Sequence, residues 1–188
     1  MHDNLFRGRL VRLAAPRQQD ADILARWSHD AGYLRAVDTD YARPRGPEAF
    51  AQADGAGPGN AIEFRLRTLE DDRLIGFVAL HSIEWNNRAG LLSIGIGEPD
   101  YRGKGYGSEA LRLALRYAFD ELNLERVGLD VIANNAAAIR AYERAGFRQE
   151  GVLRGAVLRD GQRHDRIVMG VLRDEWLDHA RTEEEPAG

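Results

Sequence analysis

Apolar and charged positions alternate strictly between Ile62 and Arg67, with Ile62, Phe64 and Leu66 set against Glu63, Arg65 and Arg67. That period of two marks a strand with one buried face and one solvent face. After the polar turn Glu70-Asp71-Asp72, the apolar stretch Leu74 to Ile83 reads as its antiparallel partner. A third strand, Leu91 to Gly97, follows the turn Asn86-Asn87-Arg88 and completes a meander. The period then changes. Leu111, Leu115, Ala118, Phe119 and Leu122 recur at helical spacing with no glycine or proline between them, which predicts the clearest helix of the chain.

Beyond that helix the pattern predicts a strand over Val127 to Ile132 and a helix over Ala136 to Ala145, ended by Gly146. A hairpin follows, Val152 to Arg159 with Arg163 to Leu172 across Asp160-Gly161. Ahead of the meander, Gly8 to Ala14 reads as a short strand. A helix then starts with Asp20 as N-cap and carries Ile23, Leu24 and Trp27 on its apolar face. Asp30 to Pro47 is mixed, with one short helix inside it, and Asp54 to Asn60 reads as a glycine-rich loop. Strands and helices thus interleave in one α/β chain.

Composition narrows the search to one site. A length of 188 residues suits a single domain, expected over residues 1–180, with the polar residues 181–188 a frayed tail. The chain is 44% hydrophobic and 30% charged, with a mean hydropathy of -0.46. It therefore reads as a soluble globular protein, and no apolar run approaches the roughly 18 residues of a membrane span. Met1 to Phe6 lacks the basic start and apolar stretch of a secretory signal, so a cytoplasmic location is expected. The lack of cysteine excludes disulfides, thiolate metal sites and a cysteine nucleophile, and the five histidines show no metal-type spacing. A net charge of -4 gives no general attraction to nucleic acid and slightly favours a cationic partner.

The chemistry concentrates between the strand ending at Gly97 and the helix expected to begin near Ser108. Gly103, Gly105 and Gly107 alternate there. Lacking Cβ atoms, they let backbone N–H groups turn inward together, and the following helix adds its positive dipole end. A pyrophosphate fits such a nest, with Arg102 or Lys104 adding charge. The spacing matches neither a Walker loop, which needs Gly-Lys-Ser/Thr, nor the G-x-G-x-x-G of dinucleotide-binding turns. A second constellation runs from Asn135 to Phe147. Asn135 reads as an N-cap, Ile139 and Tyr142 share one helical face, and Gly146 is a left-handed C-cap.

Together, R-G-x-G-x-G and N-x-x-A-I-x-x-Y-x-x-x-G-F resemble the coenzyme-A loop and the following helix of the GCN5-related N-acetyltransferase (GNAT) superfamily. The resemblance extends from about Ile62 to Trp176. The ending RDGQRHDRIVMGVLRDEW is similar to the branch holding ribosomal-protein N-terminal acetyltransferases and spermidine acetyltransferases. The resemblance implies a central mixed, mostly antiparallel sheet, splayed between its fourth and fifth strands and flanked by helices. It implies acetyl-CoA as co-substrate, with pantetheine beside Ile96, Gly97 and Glu98. The loop Arg102, Gly103, Lys104, Gly105, Tyr106, Gly107 and Ser108 would hold the pyrophosphate, and Asn135 would touch the pantetheine arm. Tyr142 would act as general acid toward the thioester sulfur, since a phenol with a pKa near 10 is protonated at neutral pH. A backbone N–H of Gly97 or Glu98 would polarise the carbonyl.

The implied acceptor is a primary amine of a polyamine-like or other small molecule, or of a protein N-terminus. The absence of a cysteine to hold an acyl group favours direct transfer. Glu84, at the end of the third strand, is the candidate base, with a water chain as the alternative; Leu91 and Leu92 stand where many relatives carry an acid early in the fourth strand, a departure from the family's strand-borne base. Trp27, His29, Asp30, Asp38 and Asp40 fall in the region that lines the acceptor cleft of related enzymes, each also explicable as core, surface or turn. His81, within the apolar stretch Leu74 to Ile83, reads as structural. Two other readings stay open: a non-catalytic acyl-CoA-binding module and a nucleotide-binding protein. The final hairpin could pair in a homodimer.

Overall fold

The computed structural model describes residues 4–50 and 59–184. Residues 54–58 of the expected glycine-rich loop and 185–188 of the expected tail lie outside the described residues. Seven strands form one sheet: β1 (Val11–Ala14), β2 (Ile62–Thr68), β3 (Leu74–Glu84), β4 (Ala89–Ile96), β5 (Arg126–Ile132), β6 (Arg148–Arg159) and β7 (Gln162–Leu172), in the order β1-β2-β3-β4-β5-β7-β6. Every neighbouring pair is antiparallel except β4 and β5, which run parallel. The helices are α1 (Asp20–Ser28), α2 (Ala31–Val37), α3 (Tyr106–Arg116), α4 (Ala136–Arg144) and α5 (Arg173–Glu184). No described helix is long and apolar enough to cross a membrane.

Each face of the sheet has its own core. Leu111, Leu115, Ala118 and Phe119 of α3 and the turn after it pack on Leu66, Val78, Leu80, Leu92, Val127 and Leu129, with Ile139 and Tyr142 of α4 at the margin. On the other face Trp27, Tyr33 and Leu74 form a smaller cluster under α1 and α2. The helical period predicted for residues 111–122 continues past Arg116 as a π turn, Tyr117–Glu121, closed by Leu122 N–H donating to the Tyr117 carbonyl (3.1 Å).

Three expectations are corrected. Two of the three alternating charges of β2 do not face water: Arg65 and Arg67 are buried under α1, whereas Glu63 stays partly exposed. There Asp20 pairs with Arg67 and lies 3.8 Å from Arg65, which also pairs with Glu63. Asp20 is accordingly the first helical residue of α1 rather than its cap, and its carboxylate accepts the Arg17 N–H (2.8 Å). Finally, α5 was not anticipated, and it carries residues 181–184 of the expected tail.

Candidate active site

Parallel strands β4 and β5 share only three residue pairs, Ala89 with Arg126, Gly90 with Val127 and Leu91 with Gly128. Beyond them β4 continues to Ile96 and β5 to Ile132 without pairing to each other. Their carboxyl ends diverge at the end of the sheet from which α3 and α4 depart, the place where open α/β sheets bind ligands. A cavity of about 610 Å³ fills the gap. It is lined by Tyr33 and Val37 of α2 on one face and by Gly107, Ser108, Asn135 and Tyr142 from α3 and α4 on the other, so the opening passes through the sheet.

At the wide end lies the glycine loop. Gly103 and Gly105 have φ of 71° and 90°, values that L side chains rarely adopt, whereas Gly107 is ordinary helix. Gly105 caps α3 with no side-chain hydrogen bond, and the first intrahelical bond runs from Glu109 N–H to the Gly105 carbonyl (3.0 Å). The first-turn N–H groups of α3 are therefore left for a ligand. Arg102 turns back instead of reaching outward. Its guanidinium donates to the carbonyls of Ile96 and Gly97 (both 2.9 Å), lies 3.5 Å from Asp30 and covers the Tyr33 ring. It fixes the end of β4 to α2.

Asn135 caps α4 by accepting the Ala138 N–H (3.2 Å). Two turns on, Tyr142 packs edge-on against Phe147 and lines the cavity. Burial, with a smaller contribution from the Asp130 carboxylate, pushes its phenol up to about 12. Among the described residues no group hydrogen-bonds its hydroxyl. Arg140 and Arg144 of the same helix also line the cavity and were passed over in the sequence, although their spacing of four places them on one helical face.

Several expected site residues lie elsewhere. Glu84 pairs with Ala89 at the closed end of the β4–β5 junction, and its carboxylate accepts from Asn87. At roughly 3.3 Å per strand residue, Ala89 is about 10 Å from Leu92, the first residue of β4 beyond the paired seam, so Glu84 sits back from the splay rather than in it. Gly97 and Glu98 turn away from the gap, and both N–H groups donate to the Ile75 carbonyl (2.9 and 3.2 Å). The Glu98 carboxylate is buried, accepting from Trp27 Nε1 (2.9 Å), Arg73 (3.1 Å) and Arg26. Lys104 is exposed and Tyr106 stacks on Tyr101, neither lining the cavity. Because strand N–H groups alternate in direction, Gly97 facing β3 puts those of Ile94 and Ile96 toward the gap. Those two residues line the cavity, and they replace Gly97 and Glu98 as the available donors.

On the α2 side, Trp27 is buried and His29 exposed. Asp30 caps α2 through the Tyr33 N–H (3.0 Å), and this bond, followed by Arg102, holds its carboxyl below the usual range. The Asp38 carboxylate accepts the Asp40 N–H (3.1 Å). The β6–β7 turn reaches across to this region, where Arg159 donates to the carbonyls of Asp38 (3.1 Å) and Asp40 (2.9 Å) and Arg35 donates to Asp160 (3.0 Å).

A sheet parted between β4 and β5 above a glycine loop defines a class, and comparison with known proteins agrees. Residues 10–148 match the family model described as the acetyltransferase (GNAT) domain, and the chain belongs to that family. It is 39% identical over 112 residues to the Bacillus subtilis protein YjcK, covering 58% of this chain and 60% of that protein. It is 34% identical over 107 residues to the spermidine N(1)-acetyltransferase of Vibrio cholerae, covering 57% and 61%. The chain thus spans about three fifths of the length of these curated relatives. The crystal structure of the Vibrio cholerae spermidine N-acetyltransferase in complex with CoA and spermine superposes with a TM-score of 0.80 at 24% identity, over 89% of this chain and 98% of that one, which shows the shared fold.

Proposed function

We propose that the chain transfers the acetyl group of acetyl-CoA directly to a primary amine. The observation that carries this reading is the continuity of one cavity from the uncapped start of α3, through the β4–β5 gap, to Tyr142. The first-turn N–H groups of α3 hold the pyrophosphate, and Arg140 and Arg144 add charge at the rim. Pantetheine lies along Leu92 to Ile96 in place of the missing strand pairing, taking hydrogen bonds from Ile94 and Ile96, with the free amide of Asn135 alongside. The thioester then falls toward the narrow end of the gap, where Tyr142 stands.

The amine enters from the α2 side and attacks the thioester carbonyl, and the sulfur leaves with the electron pair. Tyr142 stays protonated across the physiological range and donates a hydrogen bond to that sulfur. A thiol ionises near 8.5, so full proton transfer from a phenol near 12 runs uphill. Its role is therefore charge stabilisation by a donor more than outright acid catalysis.

Free-thiol release from acetyl-CoA, measured against polyamines, aminoglycosides, amino acids and short peptides, tests this reading. Turnover with one class supports it and names the acceptor. Acetyl-CoA binding without thiol release under any acceptor points instead to a non-catalytic binding module, and thermal protection by ATP in place of acetyl-CoA to a nucleotide-binding protein.

A further inference from the structure

With Glu84 set back behind the β4–β5 seam and held on Asn87, the acceptor proton is better served by a group at the opening itself. His81 of β3 and Ser93 of β4 project from the same face of the sheet, the α2 face, as the register Ala79 with Ser93 and His81 with Leu91 requires. His81 Nε2 and Ser93 Oγ are 2.9 Å apart, and His81 Nδ1 is 3.2 Å from Ser82 Oγ. Ser82 sits in a bulge at φ 49°, an unusual backbone for a serine, and bulges of this kind re-aim side chains beside active sites. Ser93 lies between Gly95, which lines the main cavity, and Leu91, which lines a second of about 210 Å³ with Leu129 and Asp130. It therefore stands where β4 and β5 part. Leu92 is about 13 Å back from Ile96 at roughly 3.3 Å per residue, the direction in which the reactive end of the coenzyme must point once its phosphates are held at α3.

Resting on the acetyl-transfer reading above, we propose that Ser93 contacts the acceptor nitrogen and that His81 behind it receives the proton. With Nδ1 protonated toward Ser82, Nε2 accepts from the Ser93 hydroxyl. As the amine attacks, the C–N bond forms and the nitrogen becomes acidic. Its proton passes to Ser93 Oγ while the Ser93 proton passes to His81 Nε2. The C–S bond then breaks, the thiolate keeps the electron pair under the Tyr142 hydrogen bond, and the imidazolium returns its proton through solvent to the thiolate. The net change is amine plus acetyl thioester to acetamide plus thiol.

The charges around His81 fit this role. Burial holds the imidazole below its usual 6.5, opposed in part by Asp130 of β5 and Asp38 at the end of α2. Arg166 of β7 lies 3.5 Å from Asp130, and Glu63 of β2, paired with Arg65, is the remaining acid on this face of the neighbouring strand. The ring is thus neutral at pH 7 and free to accept.

The test is kcat against pH at saturating acetyl-CoA and amine, using an acceptor that the wild-type protein acetylates. Wild type should show log kcat rising with slope two at low pH, where both the bound amine and His81 must lose a proton, and slope one above the His81 pKa. His81→Gln should lose about 100-fold at pH 7, rise with slope one throughout and keep its acetyl-CoA affinity, and Ser93→Ala should behave alike. A His81→Gln protein within threefold of wild type, or one that is slower yet keeps the slope of two, overturns the proposal while leaving acetyl transfer standing. Failure of wild type to release thiol with any amine removes both.

Discussion

The indole of Trp27 lies flat over Gly97: a Cβ at that glycine would come within 2.1 Å of Trp27 Cδ2. Gly97 therefore serves packing between α1 and the end of β4, and the same indole donates to Glu98 (2.9 Å). Gly97→Ala must push the ring aside. Overpacking of this kind costs about 1–3 kcal/mol, and for a chain of this size that lowers Tm by roughly 3–10 °C. A calorimetric scan that shows no drop would mean the contact relaxes freely.

Tyr142→Phe removes the hydroxyl proposed to donate to sulfur and leaves the ring packing on Phe147. The expected outcome is kcat reduced by about 10²–10³-fold, on the scale of losing one preorganised donor, with the acetyl-CoA Kd unchanged. Stopped-flow turnover beside calorimetric titration separates the two effects, and an unaltered kcat would remove Tyr142 from the chemistry.

Gly105 and Gly107 should respond differently to alanine. At φ 90° Gly105→Ala costs about 1–2 kcal/mol of backbone strain, and acetyl-CoA affinity should fall about 5–30-fold as the α3 entry shifts. Gly107 is ordinary helix, and its nearest neighbour would be Ile96 Cγ1 at 3.5 Å. Gly107→Ala should fold at least as stably as wild type, which thermal unfolding without ligand will show.

Asp20 pairs closely with buried Arg67 and lies 3.8 Å from buried Arg65, and Nε of both arginines has no hydrogen-bond partner. Arg65 keeps Glu63, but Asp20→Asn leaves the buried Arg67 charge without its acid, so urea unfolding should report a loss of about 3 kcal/mol or more. A loss below about 1 kcal/mol would show that water reaches the arginines.

Asp72 accepts from Arg12 and Arg17, and these bonds bring its carboxyl down to about 2 from an ordinary 3.8. A depressed acid stabilises the folded state above its unfolded pKa and loses that contribution as pH falls from about 4 toward 2. The site is half exposed, so the effect is small. Asp72→Asn should lower Tm slightly at pH 6, and the gap to wild type should close as pH approaches 2. A gap that stays constant with pH would assign the effect to something other than charge.

The meander, the long helix, the glycine loop and the Asn135 cap of α4 were legible because each rests on local signals: period two in β2, period 3.6 in α3, and glycines at Gly103 and Gly105 whose backbone demands them. Long-range contacts were not legible. Arg65 and Arg67 alternate like a solvent face, and only the docking of α1 reveals them as buried. Glu109, an unremarked residue of α3, accepts the N–H groups of Arg9, Leu10 and Val11 (2.7–2.8 Å), tying together parts of the chain about 100 residues apart. Glu84 and His81 sit three residues apart on β3, yet a bulge and the position of the β4–β5 junction set one at the closed end and the other beside the opening. Sequence spacing holds no information about which end that is.

The three-pair seam between β4 and β5 gives consecutive amides of one strand opposite fates. Gly95 and Gly97 point toward β3, while Ile94 and Ile96 point into the gap. In deuterated water the isoleucine amides should therefore exchange quickly beside slow glycine neighbours. A pantetheine arm laid along β4 would even out that contrast, writing its register residue by residue into the protection pattern.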